Sequence, residues 1–162
     1  MVALYVDRQQ MEELRSRSLA RQVELEQRFA HTESSSEAIE LATATEDAGR
    51  EELLGLIEAV GLHPPVPAAE IPGLLRLAAQ VCLGAGLEKV SVTATPDGTM
   101  HLQVEDCPIY RRLEALGAGN TACTCFARRR GWYRAMGVAL RDQLETTQKW
   151  GDPFCSATIF AA

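Results

Sequence analysis

The feature that most limits the possible folds is a change of hydrophobic period at Gly84 and Gly86. Before these glycines the apolar residues recur every three or four positions, as in helices; after them they alternate, as in strands. Arg8 to Phe29 is rich in Glu, Arg, Gln and Leu, with a thin stripe of Met11, Leu14, Ser18, Leu25 and Phe29, and predicts a long helix. Ser34 and Glu37 have the spacing of a capping box for a second helix from about 37 to 60, stopped at Gly61. His63-Pro64-Pro65-Val66-Pro67 cannot continue a helix, and Pro72 suits the start of a third, from about 71 to 83.

In the second half, Val90, Val92 and Ala94 face Met100, Leu102 and Val104 across a Pro96-Asp97-Gly98 turn, which predicts a hairpin. Cys107-Pro108 opens a short helix ending near Gly117-Ala118-Gly119-Asn120, and a longer helix is expected from about Thr121 to Leu140. Two more strands are expected, from about Gln143 to Trp150 and from Phe154 to Phe160, around Gly151-Asp152-Pro153. The expected fold is α+β: an N-terminal helical arm (residues 1–66), then a core (67–162) with a four-stranded antiparallel sheet of two hairpins and helices packed on one face. Two long helices so poor in apolar residues bury little surface alone, so the arm is either a hairpin packed on its own core or the contact of a homodimer.

Charge and cysteine usage narrow the function. With 162 residues and 46% hydrophobic composition the chain can build a core without disulfide staples. The net charge is −6, with 14 acids against 6 bases before residue 71 and 8 against 10 after it. That distribution has no footprint for nucleic acid; the small basic excess suits a small anionic ligand. No stretch approaches a membrane span or a secretory leader, so a cytoplasmic protein with no membrane partner is expected. In that compartment five cysteines point to reduced thiols, a metal site or a catalytic thiol rather than a disulfide framework.

Cys107 precedes Pro108 and therefore occupies a helix N-cap, where N–H groups and the helix dipole favour a thiolate, while Asp106 beside it opposes ionisation. Asp152 and Cys155 flank the last turn as a carboxylate and a thiol, suited to act as base and nucleophile or as polar pocket walls. Cys123 and Cys125 point about 200° apart around a helix and do not have zinc-knuckle spacing. Cys82, between Val81 and Leu83, is expected in the core. Arg129 interrupts an apolar stripe that includes Cys125 and Tyr133. It either snorkels to solvent with Arg128 and Arg130, or meets an internal carboxylate such as Asp152 or a ligand carboxylate. His101 sits on a strand and lacks the setting of a Cys-His dyad.

Cys107-Pro108 after a strand, a helical Cys125, and Gly151-Asp152-Pro153-Phe154-Cys155 running into Ser156-Ala157-Thr158-Ile159-Phe160 resemble the C-terminal part of the L-2-amino-thiazoline-4-carboxylate hydrolase family, over roughly residues 88 to 160. The layout is also similar to that of the small-molecule-binding domains named after 4-vinyl reductase. The resemblance implies hydrolytic opening of a non-peptide C–N bond in a cyclic amidine bearing a carboxylate. Cys107, Asp152 and Cys155 fall on its catalytic phrases, and Cys125, with Cys123 competing, on a further one. Arg129, Cys125 and Tyr133 are then the expected substrate-binding residues, and no cofactor or metal is required. Two alternatives accompany the hydrolase: a non-catalytic small-ligand sensor of the 4-vinyl reductase type, and a cysteine-ligated metal or iron-sulfur protein.

Overall fold

A computed structural model describes residue 4 and residues 6–118 and 124–162. Five helices and four strands run in the order α1 (Arg8–Ala30), α2 (Ser35–Ala59), α3 (Ile71–Val81), β1 (Val90–Ala94), β2 (Met100–Glu105), α4 (Pro108–Ala115), α5 (Cys125–Met136), β3 (Leu140–Thr146) and β4 (Phe154–Ala161). The fold is α+β, and the four strands form one antiparallel sheet in the order β1-β2-β4-β3, so the two hairpins meet along β2 and β4.

Local chemistry accounts for most of these boundaries. Asp7 caps α1 by accepting from the N–H groups of Gln9 and Gln10, and Ser34 caps α2 by accepting from Glu37 N–H at 3.2 Å. Pro72 and Pro108 occupy the first turns of α3 and α4, where a missing N–H costs nothing. Asp106 joins β2 to α4 at a φ of 57°, a left-handed conformation that Asp tolerates better than most residues, and it pairs with Arg111.

The expected end of the long helix is corrected. Gly137 takes a φ of 69° and terminates α5 at Met136, so β3 starts at Leu140 and not at Gln143. Gln148–Trp150 is a single 3-10 turn, not strand. The expected start of that helix at Thr121, and Cys123, lie outside the described residues.

Helices α2 and α5 meet backbone to backbone. A Cβ on Gly49 would sit 2.3 Å from the Arg128 carbonyl oxygen, and one on Gly131 would sit 2.0 Å from that of Glu46. This approach sandwiches α5 between α2 and the sheet, so that Arg128, Arg129, Trp132, Tyr133 and Met136 are all buried around its circumference. Leu14, Leu53, Leu56 and Ile57 of the first two helices join α3, α5, β1 and β2 in one apolar cluster, while Leu25, Phe29, Leu41 and Ala48 form a smaller one between α1 and α2. Among the described residues no helix is long and apolar enough to cross a membrane.

Candidate functional site

The inner face of the sheet carries Met100, Leu102 and Val104 on β2 opposite Ile159, Ala157 and Cys155 on β4. Strand β3 continues the rows with Asp142 opposite Ile159 and Leu144 opposite Ala157. A bulge between Leu144 and Thr146 then shifts the register, so that Thr146 faces Ser156, with its hydroxyl 2.7 Å from the Ser156 hydroxyl. Bulges bend a strand and re-aim the residues beyond them. Here Thr147 and Gln148 curl over the Cys155 sulfur, with the Thr147 hydroxyl at 3.7 Å and the Gln148 N–H donating at 3.5 Å.

Helix α5 closes the site from the other side. Arg129 donates from Nε to Asp142 Oδ2 at 2.5 Å and from Nη1 to Cys125 Sγ at 3.4 Å, and its guanidinium stacks 4.7 Å over the Phe126 ring. Tyr133 donates its hydroxyl to the same Asp142 oxygen at 3.1 Å. Arg129 is 5% exposed, and its Nη2 has no acceptor among the described residues. Beneath these groups lies a cavity of about 20 Å³ walled by Leu102, Val104, Cys125, Arg129, Thr147 and Cys155 among others. That is room for about one water molecule.

Cys125 at the start of α5 and Cys155 at the start of β4 line this cavity, and Cys107 at the start of α4 is tied to Cys155 through Gln148. Cys107 is the N-cap of α4 and is buried, its backbone N–H held by Gln148 Oε1 at 2.6 Å. Its thiol donates a hydrogen bond to Cys155. That bond, then burial and the neighbouring Cys125, push the Cys107 thiol far above its ordinary range, so the thiolate expected at this N-cap resides elsewhere. It resides on Cys155, whose pKa is lowered to about 6, chiefly by the Cys107 hydrogen bond and further by Gln148 N–H, the Thr147 hydroxyl and the Arg129 charge, against the cost of burial.

The expected site residues are therefore only partly assembled. Cys107, Cys125, Cys155, Arg129 and Tyr133 come together. Asp152 instead accepts from the Thr147 N–H at 2.9 Å and shapes the turn, and the internal partner of Arg129 is Asp142, not Asp152. Cys82 is core, its thiol pushed well up by burial. Among the described residues no three His, Cys, Asp or Glu side chains gather as ligands for a metal ion.

Asp142, Thr147 and Gln148 escaped the reading of the sequence. Asp142 carries a readable signal, a carboxylate in phase with Leu140 and Leu144 on a strand face, once Gly137 is taken as the helix stop. A second buried cluster also escaped it. Arg128 donates to Glu52 Oε2 at 2.7 Å and Trp132 Nε1 donates to Glu52 Oε1 at 2.9 Å, while burial raises the Glu52 carboxyl against the pull of Arg128.

No family model matches the chain, and no curated protein matches it. Among solved structures it is similar to a trafficking protein particle complex subunit 3 from Naegleria fowleri covalently bound to palmitic acid, at a TM-score of 0.52 and 13% identity, over 91% of this chain and 94% of that one. This finding overturns the expected hydrolase: the matching fold is that of a trafficking-complex subunit. It equally turns the reading away from the 4-vinyl reductase type of sensor. The geometry gives the physical reason for the first correction. The Arg129 charge meant for a substrate carboxylate is neutralised by Asp142, and a one-water cavity cannot seat a cyclic substrate.

Proposed function

We propose that this chain is a non-catalytic building block of a multi-protein assembly of the trafficking-particle type. The observation that carries the reading is the end-to-end likeness: the shared fold spans 91% of this chain and 94% of the neighbour. A domain that shares a fold in full, and whose cavity beside Cys155 has room for about one water with the Arg129 charge already met by Asp142, fits a scaffold better than a catalyst. The finer version of the expected partnering, two copies joined through α1 and α2, is the simplest such assembly. The small anionic ligand expected of the basic half loses its anchor, because Arg129 is neutralised internally.

The palmitic acid carried by the neighbour is not part of the proposal. The cavity beside Cys155 is too small for a fatty chain, and the larger cleft of about 310 Å³ between α1 and α2 is lined by Arg17, Arg21, Glu51, Glu52 and Glu58, charges that an acyl chain would strand without water.

The test is the native mass of the full chain, tagged and expressed at its natural level. A particle several times heavier than the 17.7 kDa chain, containing stoichiometric vesicle-traffic proteins identified by mass spectrometry, is expected. A 17.7 kDa monomer without stoichiometric companions refutes the reading.

A further inference from the structure

We propose that Cys155 and Cys107 form a peroxide-reactive dithiol, in which Cys155 is oxidised by hydrogen peroxide held in the cavity it shares with Arg129 and Cys107 then closes a disulfide onto it. Four observations converge on this site. Cys155 lines a cavity of about 20 Å³, the size of a molecule such as water or hydrogen peroxide, and too small for an organic hydroperoxide. Arg129 lines the same cavity, almost fully buried, with Nη2 donors that no group among the described residues accepts. Buried donors without an acceptor are rare and mark a place for a polar ligand. The Thr147 hydroxyl and the Gln148 N–H hold the sulfur in place. The fourth is Cys107, buried beside Cys155 and joined to it through Gln148, whose Oε1 accepts from the Cys107 N–H at 2.6 Å while its own N–H donates to the Cys155 sulfur at 3.5 Å.

The chemistry balances with peroxide as the sole oxidant. The Cys155 thiolate attacks one peroxide oxygen, the S–O bond forms as the O–O bond breaks, and hydroxide leaves, its charge met by the Arg129 guanidinium. The sulfur loses two electrons and becomes a sulfenic acid. The Cys107 sulfur then attacks the Cys155 sulfur, its proton joins the departing hydroxyl, and water leaves. The hydroxide takes up the proton that Cys155 released on ionising, so in sum two thiols and one peroxide become one disulfide and two waters. The lowered pKa of Cys155 keeps it ionised at neutral pH, and the raised pKa of Cys107 keeps a proton on the group that must deliver one. The resulting bond ties the start of α4 to the start of β4.

Ionisation alone cannot produce a large rate advantage. At pH 7 a thiol with a pKa of about 6 is roughly thirtyfold richer in thiolate than an unfolded cysteine near 8.5. The weaker nucleophilicity of the more acidic thiol removes all but a roughly two- to threefold gain. Any larger acceleration has to come from the cavity and Arg129.

The experiment compares the reduced full-length chain, native and urea-unfolded, at pH 7 with stoichiometric hydrogen peroxide, tracking each cysteine by mass spectrometry. Native Cys155 should oxidise at least tenfold faster than in urea, with loss of two hydrogens from the intact mass and a Cys107–Cys155 disulfide in the peptide map. Cys107→Ser should instead trap a sulfenic acid on Cys155 that dimedone captures; should that variant not fold, the wild-type map decides. Cumene hydroperoxide should show no tenfold acceleration. An acceleration below tenfold, a disulfide with any other pairing, or equal acceleration by the bulky hydroperoxide overturns the proposal. It stands independently of the assembly reading, because no partner protein enters the test.

Discussion

Replacing Gly131 by Ala should destabilise the protein even though Ala is the better helix former by about 1 kcal/mol. The added Cβ would lie 2.0 Å from the Glu46 carbonyl oxygen and 2.6 Å from the Arg50 nitrogen, where ordinary contact begins at 3.4 Å. Both obstacles are backbone atoms of α2, so α5 must withdraw by more than an ångström. A gap of about 0.5–1 Å already forfeits a quarter to a half of each dispersion contact along an interface. Overpacking of well-packed interiors costs about 1–3 kcal/mol, and rigid backbone on both sides puts this clash near the upper end, about 3 kcal/mol, which leaves a net loss of about 2 kcal/mol after the helix-propensity gain. At roughly 2–4 °C per kcal/mol for a chain of this size, the melting temperature should fall by about 4–8 °C. Gly55→Ala on α2 is the control. Its Cβ would meet only the Leu14 side chain, at 3.1 Å, which can give way, so its melting temperature should stay within about 2 °C of wild type or rise. Thermal unfolding monitored by circular dichroism reads both. If Gly131→Ala melts at or above wild type, α2 and α5 do not approach through their backbones and the placement of Arg129 loses its support. The double variant Gly49→Ala/Gly131→Ala should cost less than the sum of the singles, since one separation of the helices relieves both clashes.

Asp142→Asn should cost about 3–5 kcal/mol in urea unfolding, because it leaves the Arg129 charge buried without a counter-charge; a loss below about 1 kcal/mol would refute the pairing. Replacing both, as Arg129→Met with Asp142→Leu, should recover most of that loss. Native alkylation should reach Cys155 first, with a rate that titrates near pH 6, and Cys82 only on unfolding; preferential labelling of Cys107 or a midpoint near 8.5 would contradict the hydrogen-bonded pair. Because the folded pKa of Cys155 lies below the unfolded one, its contribution to stability is complete above about 8.5 and is lost as pH falls through about 6. Wild-type stability should carry a component that rises between those values, and Cys155→Ala should lack it.

Where the sequence could be read correctly, the interactions were short-range. The Ser34 cap, the prolines opening α3 and α4, the Pro96-Asp97-Gly98 turn and the N-cap position of Cys107 each involve residues within four positions of one another, and the two hydrophobic periods suffice to separate helices from strands. The boundary misread at Gly137 hid Asp142 by leaving it in the gap between a helix drawn too long and a strand begun too late.

The sequence by itself determined the α+β class, the order of the helices and strands and the residues that open α1, α2, α3 and α4, because propensity, capping and turn chemistry act along the chain. Only the tertiary structure decided which charges and thiols meet. Arg128 finds Glu52 across 76 positions, Cys107 finds Gln148 across 41, and two glycines decide that α5 is buried on both sides. Those partnerships depend on helix separation and strand register, which arise only when distant segments pack. Packing therefore made Arg129 a neutralised internal charge rather than a substrate anchor, and Cys155 rather than Cys107 the thiolate.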